Sequence, residues 1–152
     1  MAKPVPPYPG FEYDQKALEE TMTKVKETVI QIYNRVVSQS EKIRKKFAKI
    51  LDEPGLVYAN SALNNLIMII TDMYNIVLSG KKYKIADFIV RTANLLKYYG
   101  EIDVLLLEAT HNNKEKSHIY FCDRDEGEDL FMFTFNLRHE IEYLLNVLVG
   151  LS

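Results

Sequence analysis

The residues of this chain whose types could bind metal or move protons are three histidines, one cysteine and an acidic run. The run, Asp123-Arg124-Asp125-Glu126-Gly127-Glu128-Asp129, has the composition of a calcium loop. An EF-hand needs oxygen ligands at loop positions one, three and five, glycine at six and a bidentate glutamate at twelve. With Asp123 at position one, Gly127 falls at five and Thr134 at twelve, so the pattern fails and the run reads as a solvated hairpin tip. His111, His118 and His139 form no short-range metal spacing. Cys122, four residues after His118, would share a strand face with it, which is too few donors for a zinc site. As the only cysteine it can form no intrachain disulfide, and it reads as a small buried apolar side chain. Arg138-His139-Glu140, with Glu142 and Tyr143, carries acid and base groups on a helix whose polar face reads as solvated. No glycine-rich phosphate loop follows a strand, and neither GxSxG nor HExxH occurs. We assign no catalytic, cofactor-binding or metal-binding residue, and expect a protein that is not an enzyme.

Cations offer a different chemistry. Lys42, Arg44, Lys45, Lys46 and Lys49 form one cluster, and Lys81, Lys82 and Lys84 a second. Phosphate contacts need lysine and arginine but no base-reading geometry, so these are the candidate nucleic-acid-binding residues. On a helix the first five wrap around the axis, and antiparallel pairing of the next helix puts the second cluster at the opposite end. A net charge of −2 excludes attraction of nucleic acid by the molecule as a whole.

The element that must carry the first cluster is a long helix over residues 14–51. Leu18, Met22, Val25, Val29, Ile32 and Val36 recur at alternating spacings of four and three, an a/d seam that packs on other helices and is the candidate interface. Unbroken, this helix would run roughly 57 Å, against a radius of gyration near ~15 Å for a compact chain of this size. It must therefore break or project. Ser38 followed by Glu41 reads as a capping box and marks where a break would fall. If the helix projects, the basic half should be its exposed end.

Asp52-Glu53-Pro54-Gly55 reads as a reversal. A second helix over 57–79 is apolar around most of its circumference, with Gly80 as C-cap, and its Asn60, Asn64 and Asn65 need partners if buried. A third runs to Tyr99, with Gly100 as stop signal. Beyond it, 102–109, 118–123 and 130–135 are short apolar or aromatic runs separated by turn clusters. With Phe131, Phe133 and Phe135 alternating, they predict three antiparallel strands. Asn136 then caps a final helix with Leu137, Ile141, Leu144 and Leu148 on one face.

The expected fold class is α+β, predominantly α-helical: an antiparallel three-helix bundle followed by a small three-stranded antiparallel β-meander and a C-terminal helix. A Pro-rich arm over 1–13 precedes a single domain over 14–152, helical over 14–100 and meander plus helix over 101–152. The 47% hydrophobic and 26% charged composition is that of a soluble globular chain, and 152 residues suffice for a core without staples. No run approaches ~18 apolar residues and the N-terminus has no signal-peptide core, so a cytoplasmic location is expected. Lys, Glu, Ile and Tyr without Trp are compatible with a thermophile. The expected function is a non-catalytic helical interaction subunit that self-associates or docks on protein partners in a larger assembly. The alternative, resting on size and helical character, is a nucleic-acid-backbone-binding small subunit of a nucleoprotein complex such as a CRISPR effector. An uncharacterised enzyme comes third.

Overall fold

The computed structural model describes the backbone of residues 11–112 and 130–152, with side chains over 15–109 and 130–152. Within these lie α1 (Phe11–Ser38), α2 (Ser40–Ile50), α3 (Glu53–Ser79), α4 (Ile85–Asn112) and α5 (Leu130–Leu151). The described residues contain no strand, which overturns the expected α+β class and its meander. Of the three runs, 102–109 continues α4, 130–135 opens α5, and 118–123 lies outside the described residues.

Two physical reasons account for the difference. Gly100 does not stop α4, because an isolated helical glycine costs only about 1 kcal/mol. Tyr99, Ile102 and Leu106, buried at helical spacing on either side of it, outweigh that cost. In 130–135 the aromatic alternation is not a strand period either. Leu130 and Phe133 are buried whereas Phe131 and Phe135 are exposed, which is the three-to-four-residue period of a helix.

The long N-terminal helix breaks at one residue. Gln39 (φ −103, ψ 0) separates α1 from α2 and makes no side-chain cap. The expected capping box is not formed, since the Ser38 hydroxyl donates back to the Asn34 carbonyl. The backbone hardly leaves the helix here, for the Ile43 N–H still donates to the Gln39 carbonyl at 2.9 Å. The chain reverses between α2 and α3 as expected, and 53–55 already form the first turn of α3: the Asp52 carboxylate accepts from the Gly55 N–H at 2.9 Å, with Pro54 in the first turn, where its missing N–H costs nothing. Gly80, at φ 72, ends α3 in the left-handed conformation that glycine adopts without strain. At the other end α1 starts at Phe11, inside the expected arm, whose residues 1–10 lie outside the described ones.

The four long helices close a ring in which α1 and α4 each pack on both α3 and α5, while α2 continues α1 along α3. Tyr33 stacks on Tyr74 with ring centroids 3.8 Å apart, and Arg44 reaches Asn60, so α1 and α2 run antiparallel to α3. Arg91 pairs with Asp72 across the short 80–84 connection, so α4 runs antiparallel to α3. The core is the inward stripe of each helix, including Val29 and Ile32, Leu63 and Ile70, Leu95 and Leu106, and Leu137 and Leu144, all at most 1% exposed. α3 alone among the described helices is long and apolar enough to cross a membrane, and its Leu63–Ile70–Val77 stripe belongs to this core.

Candidate functional site

The cations of α2 do not form one face. Arg44 donates through Nη1 to Asn60 Oδ1 at 3.1 Å and through Nη2 to Asn64 Oδ1, although Asn60 is only partly buried and Asn64 is exposed. Lys46 is only 4% exposed and lies among the buried residues of α2 with Ile43 and Phe47. Lys42 is half-buried, and only Lys45 and Lys49 are well exposed. Lys81, Lys82 and Lys84 are all exposed around the α3–α4 connection and line a concavity of about 270 Å³ with Tyr83, Asp87 and Arg91. In it Tyr83 stacks on Phe88 with ring centroids 3.9 Å apart, and burial raises the phenol above its ordinary pKa. Asp87, and the pairing of Arg91 with Asp72, offset part of the positive charge.

The candidate interface on α1 divides in two. Val25, Val29, Ile32 and Val36 are fully buried in the core of this chain. Leu18 is 48% exposed and Met22 half-buried, and every residue over 15–20 is exposed. More than a full turn exposed on all sides means that no described helix packs there, so the N-terminal turns of α1 reach beyond the described core. The basic half does not.

The acid and base groups suggested by Arg138-His139-Glu140 point in three directions. Arg138 Nε donates to Glu142 Oε1 at 2.9 Å, a bond that raises the guanidinium pKa further. His139 meets the Phe135 ring edge-on at 4.4 Å. Glu140 accepts from Arg35 Nε of α1. On α4, partial burial holds the Asp103 carboxyl above its ordinary range, against the opposing effects of Arg138 and a hydrogen bond from Tyr99. Among the described residues no three His, Cys, Asp or Glu side chains converge to hold a metal. His118, Cys122 and the acidic run 123–129 lie outside the described residues, as does the His111 side chain.

Sequence reasoning passed over the outer face of α5. Phe131, Phe135, His139 and Tyr143 stand at every fourth position, with Phe131 and Phe135 in ring contact at 6.1 Å. Phe135 is 46% exposed, Tyr143 47%, Met132 42% and Val149 53%, although the opposite face is core throughout. The exposed charges among them, Arg138 and Glu142, neutralise each other. The signal present in the sequence is the placement of Phe131, Met132, Phe135, Tyr143 and Val149 off the core stripe, among the polar Arg138, His139, Glu142 and Asn146.

The fold and this surface define an all-α, antiparallel helical-bundle protein. Comparison with protein-family models, with curated proteins and with solved structures finds no match.

Proposed function

We propose that the chain is a non-catalytic helical interaction subunit that self-associates or docks in a larger assembly. The observation behind this reading is the outer face of α5, where Phe135, Tyr143, Met132 and Val149 keep roughly half their surface in water around a single ion pair. Aromatic residues, Met and Arg are the types enriched at interface cores, and contiguous exposed apolar surface marks partner sites. A photo-crosslinking amino acid placed at position 135 of the full chain tests it. Covalent adducts to protein are expected, and a chain that yields none in its native host has no partner on α5. The Lys81, Lys82, Lys84 and Arg91 concavity favours a second reading, contact with a nucleic-acid backbone. That reading requires salt-sensitive binding of RNA or DNA in an anisotropy titration, and it is lost if replacing the three lysines with alanine leaves binding unchanged.

A further inference from the structure

Resting on the phosphate reading of the concavity at the α3–α4 connection, we infer that this site takes a phosphomonoester, a terminal phosphate on an organic body, in place of the interior of a strand. The connection that presents its lysines is held at both ends. Gly80 turns the chain out of α3 at φ 72, and the Lys81 N–H donates to Ser79 Oγ at 3.2 Å. At the other end the N–H groups of Asp87 and Phe88 donate to the Lys84 carbonyl at 3.1 and 3.3 Å. The backbone that carries Lys81, Lys82 and Lys84 is therefore organised before a ligand binds, which lowers the ordering cost of binding.

Charge and size both select a compact dianion. Lys81, Lys82, Lys84 and Arg91 bring four positive charges to the lining, and Asp87 and the Asp72 partner of Arg91 offset two of them. The remaining two match a phosphomonoester, which carries about −1.5 to −2 at pH 7, whereas each phosphate inside a strand carries a single charge. A volume of about 270 Å³ lies just under the ~300–1,000 Å³ of small-ligand sites, so one phosphate with a small body fills it. A strand would need the cations to continue. The exposed lysines of α2, Lys45 and Lys49, instead lie towards the far end of α3, whose 27 residues span about 40 Å.

The rest of the lining sets the body of the ligand. Ile76 and Tyr83 are half-buried, and Phe88, on which Tyr83 stacks, is 1% exposed. Apolar and aromatic side chains beside a cationic rim suit a phosphate bonded to a ring-bearing group better than inorganic phosphate. A mononucleotide and the phosphorylated end of a strand share this chemistry.

An anisotropy titration of the full chain at about 0.15 M salt tests the inference with one short single-stranded DNA, labelled at its 3′ end, with and without a 5′-phosphate. The phosphorylated strand should bind roughly tenfold more tightly. Replacing Lys81, Lys82 and Lys84 by alanine, all at exposed positions, should abolish that difference without changing the circular dichroism. Phenyl phosphate should bind at millimolar concentration and displace the phosphorylated strand, and inorganic phosphate should do so less well. A small-molecule ligand is the source if phenyl phosphate binds as tightly as the phosphorylated strand or binds where neither strand does, and a strand end is the source if the phosphorylated strand binds far more tightly. Equal binding of the two strands, lost in the triple-lysine variant, overturns the phosphomonoester but keeps the backbone contact. A preference that survives in that variant, or inorganic phosphate displacing as well as phenyl phosphate, also overturns it, and a chain that binds neither strand nor phenyl phosphate loses both readings.

Discussion

Replacing Phe133 and Phe135 separately by alanine tests the helical assignment at its most contested point. Phe133 is 1% exposed, and truncating a buried phenylalanine costs about 3–5 kcal/mol through lost transfer energy and the cavity left behind. Phe135 is 46% exposed, so its ring contributes about 1 kcal/mol of burial. Alanine's better helix propensity returns about 0.5 kcal/mol of that. The two variants should therefore differ by about 3 kcal/mol, or roughly 6–12 °C in melting temperature for a chain of this size. The assay is urea unfolding followed by far-ultraviolet circular dichroism, at a concentration where further dilution no longer moves the curve, so that self-association does not contribute. In a strand the two rings would share one face and cost nearly the same. Equal losses, within about 1 kcal/mol, would refute the register of α5.

Three further outcomes follow from the same structure. Gly100→Ala should stabilise by about 0.5–1 kcal/mol, since the added methyl meets nothing within 4 Å, whereas Gly80→Ala at φ 72 should destabilise by about 1–2 kcal/mol; melting curves giving the same sign for both would contradict the glycine assignments. Arg35 and Glu140 tie α1 to α5 with side chains 23% and 15% exposed, so a double-mutant cycle to alanine should return a coupling above about 0.5 kcal/mol, and a cycle that closes at zero removes the pair from the account of packing. Asp103 has its pKa raised in the fold, so its protonation favours the folded state. That contribution is fully present below the unfolded value of 3.8 and lost as pH rises through the raised folded value. Asp103→Asn should therefore gain on the parent as pH rises through this window, and a difference in melting temperature that stays flat across it would refute the burial argument.

Helix periodicity carried most of the fold into view. The seam from Val25 to Val36, the all-round apolar α3 and the Gly80 cap are visible because each reflects a local requirement that no distant contact alters. The break at Gln39 was foreseen near the right place for a different reason, since the Ser38 hydroxyl bonds within its own helix. The strands were misread because period-two reasoning needs polar residues between the apolar ones. In 130–135 the intervening residues are Leu130, Met132 and Thr134, so the run is apolar at nearly every position. The exposed aromatics that disguised the helix are the same residues that mark its outer surface. Which face of a two-faced helix meets the core is decided by its neighbours, and no local pattern in α5 reports that.

The order of the two functional readings follows from what each surface must give up to bind. Arg44 holds two amide oxygens of α3, at Asn60 and Asn64, and charge-assisted hydrogen bonds of this kind contribute about 1.5–3 kcal/mol each. A phosphate that recruited Arg44 would have to replace both bonds and leave two asparagines to water, so the net gain at α2 is small even though its cations are many. Around Lys81, Lys82 and Lys84 the cations are exposed, but Asp87 and the Arg91–Asp72 pair dilute the field. At α5 the balance is reversed. Phe135 and Tyr143 already expose about half their surface, so covering them removes apolar area from water while the Arg138–Glu142 bond at the centre of the face stays intact. A surface whose exposed aromatic area is covered without breaking its ion pair is favoured over one that must first break its own contacts, and on this ground the proposed interaction at α5 ranks ahead of phosphate contact.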